Sequence, residues 1–306
     1  MTEGRAVGLY GKVLSQPDFL RVGAGAFCQA GLDRWLQEGV EALRAERAEL
    51  PPSPIAFLVA PAGGATAFLG VLATSSDAAG RSFPLSFFIE ISSAMARETL
   101  PSLPAAYAPL VANASALFSE AANLDGAEIA HRAQELAVGT PAVGAPHAWK
   151  NEPVGTLTAT FGGSLPAVAY ALRTLVAACE RSVRYTATAG GGGVTVDAPT
   201  SGAATSALWL DIARRQLGWD DAVPSFFWTE GSGGSNGRLL MTLGPPSATA
   251  LAYLANPGHR STRLWPLSTK VASAADQALA ALTPEQRRMI EDPTAAFGDL
   301  ASAFTR

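Results

Sequence analysis

The chain has 306 residues, 48% of them hydrophobic and only 16% charged, with a formal net charge of −4. That is enough apolar material for a sizeable core, and it lacks the basic surface expected of a nucleic-acid-binding protein. The two cysteines, Cys28 and Cys179, are too far apart for a disulfide framework or a metal cluster. Both fall in amphipathic helical segments and are expected as buried free thiols.

The N-terminus MTEGRAVGLYG has no apolar leader core, and no apolar run approaches the ~20 residues of a membrane span. A cytoplasmic protein without membrane insertion is expected. The first distinctive stretch is GLYGKVLSQPDFLRVG, Gly8 to Gly23. It mixes Lys12, Asp18 and Arg21 with Tyr10, Phe19 and backbone breakers, and it reads as a loop. One helix follows, in which Phe27, Leu32, Trp35, Leu36, Val40 and Leu43 share a face up to Pro51 and Pro52. IAFLVA and TAFLGVLA read as strands about a tight turn. A loop with Asp77, Gly80 and Arg81 then enters the apolar run Phe83 to Ile91, a strand covered on both faces. Two alanine-rich helices precede the Pro/Gly stretch GTPAVGAPHAWKNEPVG, a candidate internal boundary.

Beyond it, TLTATF reads as a short strand. Ser164 caps a helix whose buried stripe is Val168, Leu172, Leu175, Val176 and Cys179. VRYTAT and VTVDAP flank AGGGG as a hairpin, and TSALWLDIARRQLGW is a helix. VPSFFWTEG and RLLMTLG form a strand pair linked by GSGGSNG. The last forty or so residues are helical, with a capping box at Thr283 to Gln286 and a similar acid-then-proline start in DPTAAFGDLASAF. The class is α/β, one extended sheet with helices on both faces.

No catalytic constellation emerges. Gly190 to Gly193 are followed by Val194 rather than by Lys and Ser/Thr, so they form no P-loop. GSGGSNG precedes a strand, and GLYG does not open a helix as a dinucleotide fingerprint does. Ser164 in FGGSLP is followed by Pro166 where a nucleophile elbow has glycine. His131, His147 and His259 lack metal-ligand spacing, and Asp220 and Asp221 are adjacent and do not converge. What stands out is polar residues among aromatics: Lys12, Ser15 and Asp18 near Tyr10 and Phe19; Asp77 and Arg81 near Phe83; Thr229 and Glu230 beside Trp228. Two readings stay open. These residues bind a partner, or Asp18 closes a turn while Arg81 pairs with a carboxylate and pins two loops.

GLYGKVLSQPDFLRVG, LDRWLQEGV and SSDAAGRSFPLSFF together resemble, in order and spacing, the N-terminal region of the TagF proteins of bacterial type VI secretion. The matching positions are Tyr10, Gly11, Lys12, Asp18 and Phe19, then Trp35 and Leu36, then Asp77, Gly80, Arg81, Phe83, Pro84 and Leu85. SFFWTEG and TLGPP match more weakly. The chain departs from the family at Gln16-Pro17, usually a basic residue and glycine, and at Gly244-Pro245-Pro246, usually Gly-Leu-Pro. It also lacks the metal-binding aspartate motifs of the phosphatase fused to some members, so no phosphatase activity is expected.

The resemblance implies a three-layer αβα sandwich with a mixed extended sheet and a C-terminal helical extension. As a single domain over 1–306, it has a motif region at about 5–140, a second half at about 150–260 completing the sheet, and a helical tail at about 270–306. It implies a non-enzymatic cytoplasmic accessory protein, a post-translational repressor that contacts secretion components, in some systems a forkhead-associated-domain scaffold protein. The family brings no catalytic residue, cofactor or metal. The expected docking surface uses Lys12, Asp18 and Arg81 for charge specificity and Trp228 as an aromatic anchor, with Arg81 bridging Asp18 or Asp77. The alternative is a nucleotide- or phosphoester-binding enzyme on an αβα scaffold.

Overall fold

The structure, a computed structural model, describes residues 6–61, 63–136, 147–186, 193–219, 223–231, 235–244, 247–259 and 261–305. Among them are nine strands: β1 (Gly8–Gly11), β2 (Leu20–Val22), β3 (Ile55–Val59), β4 (Thr66–Ala73), β5 (Leu85–Ser92), β6 (Thr195–Thr200), β7 (Ser225–Thr229), β8 (Gly237–Thr242) and β9 (Leu264–Pro266). They form one sheet in the order β2-β1-β5-β4-β3-β7-β8-β6-β9. Every pairing is antiparallel except β6 with β9, so the sheet is mixed.

Successive strand residues face opposite sides of the sheet, and here both sides are buried. Ala56, Leu58, Leu69, Phe87, Phe226, Trp228 and Met241 enter one core; Phe57, Phe68, Phe88, Phe227 and Leu240 enter the other. The second core is closed by the helices Gly25–Gln29, Leu32–Ala45 and Thr249–Ala255. The first is closed by helices between Ser93 and Gln134, by Val154–Thr160, Leu165–Thr186 and Ala203–Leu217, and by the C-terminal helices Ala272–Ala280, Pro284–Glu291 and Phe297–Ala303. Three layers result, αβα. Each fully buried Phe or Leu contributes roughly 1.5–3 kcal/mol relative to exposure.

The two halves of the chain join in mid-sheet, where Ala56, Phe57 and Leu58 of β3 pair with Trp228, Phe227 and Phe226 of β7. Trp35 reinforces the joint by stacking on Phe227, with ring centres 5.8 Å apart and planes 14° from parallel. Farther along, Arg238 of β8 makes a two-pronged ion pair with Asp197 of β6 (2.6 and 2.9 Å). It also donates to the carbonyls of Tyr253 and Leu254 (2.7 and 2.9 Å), which fastens the end of Thr249–Ala255 to the sheet.

Several sequence expectations are corrected. The opening stretch is not simply a loop: Gly8–Gly11 is a fully buried strand and Leu20–Val22 its neighbour. The expected single helix at Phe27 to Leu43 is two, divided at Gly31, whose φ of 74° breaks the helical path. TLTATF up to Thr160 lies in a helix, Val154–Thr160, with Phe161 as its C-cap. Its opening N–H groups bond the carbonyls of Ala295 and Pro293, and the hydroxyls of Thr158 and Thr160 bond back to the carbonyls four residues earlier. The first four residues of VRYTAT continue the helix Leu165–Thr186, so β6 pairs with β8 and β9 instead. The sheet extends past 260, because Leu264–Pro266 adds an unanticipated strand, β9, beside β6. In DPTAAFGDLASAF the helix starts only at Phe297, and Asp292 instead accepts bonds from Thr294. The Thr283 capping box and the Ser164 cap are present as read. Residues 139–146, Gly190 to Gly192, Asp220 and Asp221, residues 232–234, and Pro245 and Pro246 lie outside the described residues.

Candidate functional site

The three N-terminal motifs converge at one end of the sheet. The first supplies β1 and β2, the third supplies the loop before β5, and the second is the helix Leu32–Ala45 on the adjacent face. β1 can press against β5 because Gly11 has no side chain. A Cβ there would fall 2.2 Å from the Pro84 carbonyl oxygen and 2.6 Å from Leu85 Cα, and φ is +148°. Ser86 Oγ donates to the Tyr10 carbonyl across the same contact (2.8 Å).

The strand therefore delivers Lys12 to a buried carboxylate. Lys12 Nζ lies 2.7 Å from Asp77 Oδ2, with side chains 9% and 0% exposed. Asp77 takes three further bonds: from Arg81 Nε (2.7 Å), from the Arg81 backbone N–H (2.9 Å) and from the Ala79 backbone N–H (3.0 Å). Arg81 then reaches across to the Pro17 carbonyl (2.6 Å), while the Ala78 N–H bonds the Gln16 carbonyl (3.1 Å). Burial pushes the Asp77 carboxyl up, but the donations from Lys12, Arg81 and Ala79 outweigh it and hold the group well below the usual carboxylate range. Asp77 is thus the knot between the first and third motifs, and both its oxygens are used by it.

Aromatic rings fill the space beside this knot. Tyr10 stacks on Phe19 (5.4 Å between ring centres) and meets Phe27 and Phe83 (5.6 and 6.1 Å); Phe19 meets Phe83 edge-on (4.8 Å). Lys12 Nζ sits 5.4 Å from the centre of the Phe19 ring. The Arg21 guanidinium covers Tyr10 and Phe19 from the outside at 5.6 and 5.7 Å. At the surface the assembly presents Arg21, the Arg81 side chain at 59% exposure, and Leu14 at 47%.

The expected site residues thus separate. Tyr10, Lys12, Phe19, Asp77, Arg81 and Phe83 come together. Asp18 is exposed, and among the described residues its carboxylate meets neither Lys12 nor Arg81, so the bridge chosen by Arg81 is Asp77. Trp35 sits on the joint with Phe227 rather than in the knot. Trp228 is 5% exposed in β7 and packs on Phe226, so it is no surface anchor. Sequence reasoning gave Arg21 no role, although its place two residues after Phe19 was the available signal.

Cys179 is buried, and burial raises its thiol pKa to about 12; Cys28 is only half-buried. Among the described residues no group of three or more His, Cys, Asp or Glu side chains is placed to hold a metal ion. No single described helix is long and apolar enough to cross a membrane; a pair bent by 98°, Val154–Thr160 with Leu165–Val183, reaches that length and composition only together. Val154, Leu157, Val168, Leu172 and Leu175 of that pair lie in the core.

None of the curated proteins matches this chain. A solved structure described as PA0076 from Pseudomonas aeruginosa PAO1 matches at 20% identity with a TM-score of 0.51, covering 85% of this chain and 99% of that one; the likeness is one of fold. Residues 8–136 match the model of the TagF N-terminal domain, described as type VI secretion system-associated, and that segment contains the knot, its aromatic cluster and Trp35. Over this segment, therefore, the chain is similar to the N-terminal domain of the TagF proteins, which are type VI secretion system-associated.

Proposed function

We propose that this protein is a non-enzymatic, cytoplasmic repressor that acts on type VI secretion after translation by binding assembly components, in some systems a forkhead-associated-domain scaffold protein. The observation that carries this reading is the Asp77 knot. Its donors and acceptors hold two loops in one geometry, and a rigid surface binds with little ordering cost. Arg21, Arg81, Leu14 and Phe19 on that surface supply positive charge around an apolar centre, the composition of a protein-docking patch. Asp18 adds an exposed carboxylate at its margin.

The test uses Arg21→Glu, Asp18→Ala and Arg81→Ala in cells carrying an intact secretion locus. Arg21 contributes no hydrogen bond to the knot, so Arg21→Glu is expected to leave the melting temperature within about 2 °C of the parent. It should also raise secretion and reduce co-purification of secretion components. Folded variants that leave both secretion and co-purification unchanged would overturn the docking assignment.

A further inference from the structure

We infer a second binding site, outside the three motifs, for an oxyanion of the phosphoryl class. A cleft of about 410 Å³ opens between the ends of the helices Ser93–Thr99 and Ala203–Leu217, lined by Arg97, Glu98, Arg214, Arg215, Gly218 and Trp219. Arg214 and Arg215 are held there by one carboxylate. Asp211 is fully buried and gives Oδ1 to Arg214 (2.8 Å) and Oδ2 to Arg215 (2.6 Å), and Arg215 also reaches Ser302 Oγ (3.2 Å). One carboxylate balances only one of the two guanidiniums. Arg97 adds a third cation, and among the described residues its side chain makes no hydrogen bond or ion pair.

The bland account of these arginines is helical: i,i+3 and i,i+4 pairing with Asp211, and positive charge near a helix C-terminus. It explains why Arg214 and Arg215 sit where they do. It leaves two observations over. Among the described residues, Arg97 faces the same cleft without a hydrogen-bonding or ionic partner, and Arg214 Nε is buried with no acceptor. An unmet buried N–H costs about 1–3 kcal/mol, and guanidinium forks match the oxygens of a phosphoryl group. Glu98 and the two helix C-termini oppose an anion, so the cations must outweigh them. The braced geometry favours that outcome, because Arg214 and Arg215 give up little side-chain freedom on binding. The cleft exceeds the volume of a phosphate ion, and half-buried Trp219 offers a wall for an organic group attached to it.

The experiment titrates the full chain with inorganic phosphate at constant ionic strength, followed by calorimetry and ³¹P line width. Saturable binding is expected. Arg97→Ala removes no hydrogen bond or ion pair among the described residues and should weaken binding about tenfold, the loss of one charge-assisted contact. Glu98→Gln should tighten it. Arg21→Glu, on the motif surface, should leave it unchanged, which separates this site from the docking surface. Absence of saturation by about 20 mM phosphate, an affinity too weak to be specific, or an unchanged affinity in Arg97→Ala, would overturn the assignment.

Discussion

If the Trp35–Phe227 stack is an energetic joint between the two halves of the chain, the two residues must be coupled. The perturbation is a double-mutant cycle of Trp35→Leu, Phe227→Leu and the pair. Phe227 is fully buried in β7 between β3 and β8, so replacement by another apolar side chain of nearly similar volume costs about 1–1.5 kcal/mol. Trp35 is half-buried, and among the described residues its buried indole N–H has no acceptor. Deleting the indole loses its packing but recovers part of the roughly 1–3 kcal/mol charged to an unmet donor. The quantity sought is the coupling. Offset-stacked rings are worth about 0.5–1.5 kcal/mol beyond their buried area, so the double variant should be that much more stable than the sum of the single losses implies. Urea unfolding of the four proteins measures it, with an unchanged slope as the check that the unfolded states are comparable. Coupling below about 0.3 kcal/mol, the usual scatter of independent sites, would refute the joint. Altered secretion by Trp35→Leu without a stability change would move Trp35 to the partner surface.

Two further outcomes follow from buried charges. Asp77 binds its proton more weakly when folded than when unfolded, so its contribution to stability is complete above an unfolded pKa of about 3.9 and is lost as pH falls toward the folded value. Asp77→Asn should therefore be less stable near neutrality and show a flatter urea midpoint below about pH 4 than the parent; parallel profiles would contradict this. Arg238→Ala removes one side of a largely buried pair and two carbonyl contacts, and should cost about 3 kcal/mol. Arg34→Ala, at the exposed pair with Glu38, should cost under about 0.5 kcal/mol in the same unfolding assay.

The parts of the fold legible in sequence are those whose signal is local. β3, β4 and β5 are continuous apolar runs, and the Thr283 box is a four-residue pattern. β1 escaped notice because four residues are too few to show a period, and its neighbour Lys12 looks like a surface residue until Asp77 is known to meet it from 65 positions away. TLTATF follows strand propensity, but distant carbonyls at Pro293 and Ala295 anchor its helix. Within the site, the Asp77–Arg81 pairing had a local cue in its four-residue spacing. The burial of Trp228 between β3 and β8 had none, since an aromatic in a strand reads the same at an edge and in the middle of a sheet.

The position of β3 bears on how such a chain can be inherited. The TagF segment, 8–136, contains β1 to β5, and β3 stands at its border with all five residues buried and its outer side closed by β7. An apolar strand with an open edge recruits whatever chain it meets, so the segment is not a portable cassette. Any protein built on it must pair or cover that border, as β7 does here. Main-chain hydrogen bonds ask little of the side chains on that strand, so the sealing half is free to diverge in sequence while its backbone stays in place.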